Sequence, residues 1–146
     1  MIQITRATDY ALRMVAYLAA SGRDRRVPAA EMSATQEIPR VFVSKILQAL
    51  TQAKILTTAP GRNGGAQLLR PPEDISVLDI VEAVEGPVTL NRCLIRQGAC
   101  SRDQTCPIHP FWAETREKLV AVLGRAKIAQ FVDPPGSRRP VRSKHK

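Results

Sequence analysis

Pro39-Arg40-Val41-Phe42-Val43-Ser44-Lys45-Ile46-Leu47-Gln48-Ala49-Leu50-Thr51-Gln52-Ala53 is the stretch on which the reading of this chain turns. Val43, Ile46, Leu47 and Leu50 recur at helical spacing and form an inward stripe, while Arg40, Ser44, Lys45, Gln48 and Gln52 fall on the other side. That outer face is polar without a single acid. A solvated face usually mixes both signs, whereas Arg, Ser, Lys and Gln together suit the phosphates and base edges of a major groove. Alone, such a helix would read better as an ordinary surface helix, and its neighbours decide the matter.

Directly after it the pattern predicts a strand over residues 55–59, a turn Pro60-Gly61-Arg62-Asn63-Gly64-Gly65 and a second strand over 66–70 closed by Pro71-Pro72. This is a β-hairpin with a glycine-rich tip. No Gly-Lys-Ser/Thr follows the glycines and the loop joins two strands, so it is not a nucleotide-binding loop. Upstream, Tyr10, Ala11, Met14, Val15, Leu18 and Ala19 share one face of a helix over residues 5–20, which Ser21-Gly22 ends. Asp9, in its first turn, complements the positive end of that helix. After a polar loop over 22–26, Pro28 opens a second helix to about Gln36, and Ile38-Pro39 restarts the chain into the third. Three helices and a hairpin make a winged helix-turn-helix. Its third helix enters the major groove and its hairpin tip reaches a neighbouring groove or the backbone.

Downstream, Ser76 with Asp79 forms a capping box, flanked by a staple of Ile75 on Ile80, so a fourth helix starts at Ser76. Val77, Ile80, Val81 and Val84 face inward, and Gly86-Pro87 stops it. Residues 87–109 show no periodicity, which is long for a structureless connection in so small a protein, and something other than a local core must order them. A helix resumes over 110–126, with Phe111, Thr115, Leu119, Val122 and Ala126 on one stripe and Trp112, Val120 and Leu123 widening it. So broad a face reads as a dimerisation helix, with Ile128, Phe131 and Val132 packing back in a final turn. The expected class is mainly α with a small β-hairpin. It divides into a winged helix-turn-helix (1–86), a cysteine-rich loop (87–109), a dimerisation helix (110–132) and a basic, disordered tail (133–146).

The aperiodic stretch holds every cysteine in the chain: Cys93, Cys100 and Cys106, with His109 three places after the last. Three thiols cannot all pair as disulfides, and their confinement to one segment is the pattern of a metal or cluster site. Cysteines on a loop without a common ligand would give the same spacing. Thiolates select zinc, copper(I) or iron-sulfur clusters, and Arg92, Arg96 and Arg102 between the thiols favour the thiolate form.

A chain of 146 residues with 44% hydrophobic content buries one ordinary core. Its formal net charge is +9, pointing to an acidic partner, nucleic acid first. Five of those charges sit on Arg138, Arg139, Arg142, Lys144 and Lys146, which leaves residues 1 to 133 at +4 and still basic. The start lacks a signal sequence and no run is apolar enough for a membrane span, so a cytoplasmic protein without a membrane partner is expected. With two histidines, one in the tail, and no nucleophile beside a base in sequence, no enzyme is expected.

Taken together, Thr8-Asp9-Tyr10-Ala11-Leu12-Arg13, the Gly-x-x-Gly-Gly wing from Gly61 to Gly65, Val77-x-x-Ile80-Val81-x-x-Val84-Glu85 and three cysteines ahead of a tryptophan-bearing helix resemble the Rrf2 family of bacterial transcription regulators, the IscR and NsrR type. The resemblance spans about residues 1 to 132. It implies a homodimeric winged-helix repressor reading an inverted-repeat operator in double-stranded DNA. It also implies an iron-sulfur cluster on Cys93, Cys100 and Cys106 that answers redox state, nitric oxide or iron-sulfur status. For the fourth ligand, Cys106-Pro107-Ile108-His109 is similar to the two-iron IscR type, and Thr8-Asp9 to the NsrR type, in which an aspartate of the partner subunit completes a four-iron cluster. His109 and two irons are favoured, because His109 needs no second chain, and Asp9 has a structural reason to stand at a helix start. Phosphate contacts are expected from Arg40, Lys45 and the wing residues Arg62, Asn63 and Gly64, with Ser44 and Gln48 reading bases. A zinc-stabilised or cluster-free nucleic-acid-binding module without redox sensing is the rival reading.

Overall fold

In the computed structural model, residues 3–132 are described. The expected tail over 133–146 lies outside them. Helix α1 (Arg6–Ala20) is capped by Thr5, whose hydroxyl accepts from Thr8 N, and ends at Ser21 with Gly22 at φ +88°. Helices α2 (Ala29–Gln36) and α3 (Arg40–Gln52) follow, each opened by a proline whose fixed φ suits a helix start. Strands β1 (Leu56–Ala59) and β2 (Gly65–Leu68) pair antiparallel, with Leu56 opposite Leu68 and Ala59 opposite Gly65. The second strand thus opens one residue earlier than its pattern suggests, because Gly65 already pairs. Helix α4 (Val77–Glu85) carries the capping box as expected: Asp79 N donates to Ser76 Oγ at 3.0 Å and Ser76 N to Asp79 Oδ2 at 2.9 Å. Helix α5 (His109–Arg125) completes the set, so His109 stands at its first residue.

One core organises these elements. Ala11, Met14, Val15 and Leu18 of α1 meet Met32 of α2, Val43, Ile46 and Leu50 of α3, Leu56, Ala66 and Leu68 of the hairpin and Ile80 of α4, all buried. At about 25 cal/mol per Å² of apolar surface, each of the larger side chains contributes roughly 1.5–3 kcal/mol and the two alanines less, which makes the three helices, the hairpin and α4 one cooperative unit. Outside the named strands, Val27 pairs with Ala66 through both backbone bonds, 2.9 and 2.8 Å. The segment before α2 therefore lies along the hairpin as a third, one-residue rung.

The chain beyond α5 returns to this core. Ile128 is buried, Val77 N donates to Ala126 O at 2.8 Å, and Ile128 N to Ile75 O at 2.9 Å. Val132 packs on the core as expected, but Phe131 does not: it is 55% exposed, because the short turn Ile128–Phe131 directs it away from the body. No residue of α5 is itself buried, and Phe111 and Val122 stand 54% and 55% exposed.

Candidate nucleic-acid interface and sensor segment

On α3 the buried Val43, Ile46 and Leu50 fix which face turns outward. Arg40, Ser44, Lys45, Gln48 and Gln52 are all exposed, as the helical period requires. Leu47, read as inward, is half-buried and borders a groove between α3, the start of α2 and the wing. Val41 was missed by the sequence reading: it is 61% exposed in the first turn, beside Ser44 and Lys45 on the outward face. The signal was available, since Val41 falls out of phase with the inward stripe. Ser44 Oγ donates to Arg40 O at 3.2 Å, a local bond that it can exchange for an external acceptor.

At the wing tip Arg62 and Asn63 are exposed, while Gly64 is buried. The Gly64 N–H closes the turn on Gly61 O at 3.0 Å, so it shapes the tip and has no free donor for a phosphate. Gly65 has φ +135°, and a β-carbon there would stand 2.5 Å from the Val27 carbonyl carbon and 2.8 Å from Pro28 N. Only glycine lets the wing lie this close to the segment before α2.

The cysteine segment is tied down at its start. Glu85 at the end of α4 accepts from the Thr5 hydroxyl at 2.9 Å, from Thr5 N at 3.2 Å and from the hydroxyl of the fully buried Thr8. The Thr8 bond above all holds the Glu85 carboxyl below the usual carboxylate range, against the opposing effect of partial burial. Arg116 of α5 then clips the following turn, its Nε donating to Val88 O at 2.6 Å. Beyond it the backbone forms only short turns, one of them the 3₁₀ turn Arg92–Leu94.

Cys93, Cys100 and Cys106 are free and half-buried. Cys93 and His109 border one cleft of about 260 Å³, together with Asp103, whose carboxylate already accepts from Gly98 N at 2.6 Å. His109 Nδ1 is buried with no hydrogen-bond partner among the described residues, an imidazole nitrogen free for a ligand. The cysteines are not gathered: among the described residues no three His, Cys, Asp or Glu side chains converge on a point that could hold a metal ion. Asp9 is elsewhere, exposed on α1 and 3.6 Å from Arg13, its partner one turn on.

A family model described as Rrf2, iron-dependent transcriptional regulator, matches residues 4–134. The chain belongs to the Rrf2 family. Over 93 residues, 63% of the chain and 59% of the relative, this Rrf2 protein is 38% identical to protein aau3 of Rhizobium meliloti (strain 1021), so it spans less than two thirds of that relative. It is 28% identical to the HTH-type transcriptional regulator NsrR of Shouchella clausii (strain KSM-K16) over 132 residues, 90% of the chain and 89% of the relative. Among solved structures, IscR of T. potens superposes with a TM-score of 0.72 at 17% identity, covering 95% of this chain and 94% of that one, which shows a shared fold. The winged-helix class read from the sequence stands, and the Rrf2 protein is a transcriptional regulator of the DNA-binding type, not an enzyme. No helix among the described residues is long and apolar enough to cross a membrane.

Proposed function

We propose that this Rrf2 protein is a cytoplasmic, homodimeric repressor whose grip on an inverted-repeat operator is switched by an iron-sulfur cluster held on Cys93, Cys100, Cys106 and His109. The observation that carries the reading is the buried, unpartnered Nδ1 of His109, a residue that lines one cleft with Cys93. A buried imidazole nitrogen without a partner costs about 1–3 kcal/mol, a penalty that ligation removes. Three thiols with one imidazole also match the donor chemistry of a two-iron centre. Once bound, the cluster supplies a charge and redox change that the polypeptide cannot produce alone. The chain's own residues do the rest: the short turns of the sensor segment let the thiols gather, while Glu85 and Arg116 anchor its start. The uncovered α5, with Phe111 and Val122 outward, supports a second copy as its cover.

On DNA, Arg40 and Lys45 take phosphates, Ser44 and Gln48 read base edges, and Val41 offers an apolar contact to a thymine methyl group. Arg62 and Asn63 make the wing contacts, and Gly64 shapes the turn that presents them. The dispersed thiols favour one rival, a zinc-stabilised or cluster-free DNA-binding protein without redox sensing. The test is the metal and sulfide content of protein purified anaerobically from its native host. Brown protein with iron and acid-labile sulfide is expected. Replacing the three cysteines by serine should remove the colour yet leave a folded dimer by sedimentation, and His109→Ala should lose iron faster than Asp9→Ala. Stoichiometric zinc without iron, or no metal at all, selects the rival. A four-iron spectrum with the opposite ranking transfers the fourth-ligand role to Asp9 of the partner subunit.

A further inference from the structure

The segment before α2 reads Gly22-Arg23-Asp24-Arg25-Arg26-Val27, and nothing in the operator contacts assigned above uses it. The fold fixes it to the wing at two places. Val27 exchanges both backbone bonds with Ala66, and the Gln67 side-chain amide donates to Arg23 O. The Arg23 guanidinium reaches back to Leu69 O at 3.4 Å. This loop therefore moves with the hairpin: Arg23 is held at the base of β2, and Arg25 and Arg26 stand beside the wing tip.

Its charges are not equivalent. Arg25 is 2.8 Å from Glu31, whose carboxylate also accepts from Tyr17 OH at 2.7 Å, so this pair cancels itself and ties the loop to α1 and α2. Arg23, Arg26 and Arg62 are exposed, and among the described residues none of the three pairs with a carboxylate. Arg26 and Arg62 both line an open cleft of about 500 Å³ that Asn63 also borders, with Asp24 the one acid there outside the Arg25 pair. No aromatic side chain lines the cleft, so it offers no platform on which an unpaired base could stack. Planar guanidinium forks separated by an open, polar trough match phosphate oxygens spaced along a strand.

The geometry points to a second backbone clamp: Arg26, with Arg62 and Asn63 on the same cleft, grips the phosphodiester backbone of the operator duplex outside the base pairs that α3 reads. The inference rests on α3 being the reading element. Because the loop is bonded to β2, the wing and the clamp engage together, and the site bound by each protomer is longer than α3 and the wing tip would cover.

The test is fluorescence anisotropy of the full chain on duplexes selected by the wild-type protein from a random pool, and on a random duplex. Arg26→Ala should bind both about three- to tenfold more weakly and reduce the salt slope by about 1 for each protomer, because a phosphate contact carries little sequence information. Asp24→Asn should tighten binding severalfold, an effect that a folding defect cannot imitate. Trimming the duplex to the base pairs read by α3 should cost the wild type at least that factor and cost Arg26→Ala less, because Arg62 and Asn63 lose their contacts in both. If Arg26→Ala and Asp24→Asn bind as wild type while Lys45→Ala weakens binding, the clamp is refuted and the role of α3 stands. If Lys45→Ala is silent as well, the reading beneath the clamp fails with it.

Discussion

Replacing Gly65 by alanine perturbs one contact on which both the wing and the arginine loop depend. Two costs add there. The backbone at φ +135° is in a region essentially reserved for glycine, at about 1–3 kcal/mol for another residue. The new β-carbon also meets the Val27 carbonyl and Pro28 N, which are backbone and cannot rotate aside. Relief requires the segment before α2 to move off β2, breaking the two Val27–Ala66 bonds at roughly 0.5–1.5 kcal/mol each. The total is about 2–6 kcal/mol. Gly22→Ala is the matched control: its φ is also positive, at +88°, but a β-carbon there meets nothing within 4 Å, so only the conformational cost of about 1–2 kcal/mol remains. Urea unfolding at fixed protein concentration should place the Gly65 variant roughly 2 kcal/mol below the Gly22 variant. The Gly65 variant should also lose DNA affinity under conditions where it is still folded. A difference between the two below about 1 kcal/mol would refute the argument that contact with Val27, rather than φ alone, demands glycine at position 65.

Lys45→Ala should weaken binding to every duplex and lower the salt slope by about 1, whereas Gln48→Ala should relax preference at one position in each half-site; equilibrium titrations over a salt series distinguish the two, and silence of both would remove α3 as the reading element. Because hydrogen bonding lowers the folded-state pKa of Glu85, its contribution to stability is present above the ordinary carboxylate range and is lost as pH falls through that range. Acid titration of unfolding should therefore show a smaller pH dependence in Glu85→Gln than in wild type, and Thr8→Val, which removes the principal donor, should cost about 1 kcal/mol near neutrality. An unchanged acid slope in Glu85→Gln would dissociate that carboxylate from the α1–α4 junction.

The parts of this fold legible in the sequence are those whose causes are local. The Ser76–Asp79 capping box, the inward stripe of Val43, Ile46 and Leu50 and the glycine-rich hairpin each depend on residues within a turn or two, so composition and period suffice. What escaped is set at a distance. The pairing of Val27 with Ala66 joins segments far apart in the chain, and it turns residues 22–26 from a polar loop into a structural neighbour of the wing. The exposure of Phe131 depends on how the chain turns after Ile128 has entered the core, which no periodicity records. At the cysteines the sequence supplies the donors but not their arrangement. The three thiols lie on a segment of short turns, and of the four candidate donors only His109 stands in an α-helix, at the first residue of α5.

The anchoring of Ala126 and Ile128 to the Ile75–Val77 segment pins α5 at its C-terminal end, and the Arg116–Val88 bond ties it again near its middle. Its 17 residues span about 26 Å at 1.5 Å per residue, with Ile128 at one end and His109 at the other. By the same rise, a tilt of roughly 5° about the Ile128 end carries the His109 end about 2 Å while leaving the α4 cap undisturbed. Any such tilt displaces His109 and Phe111 most and Leu123 least.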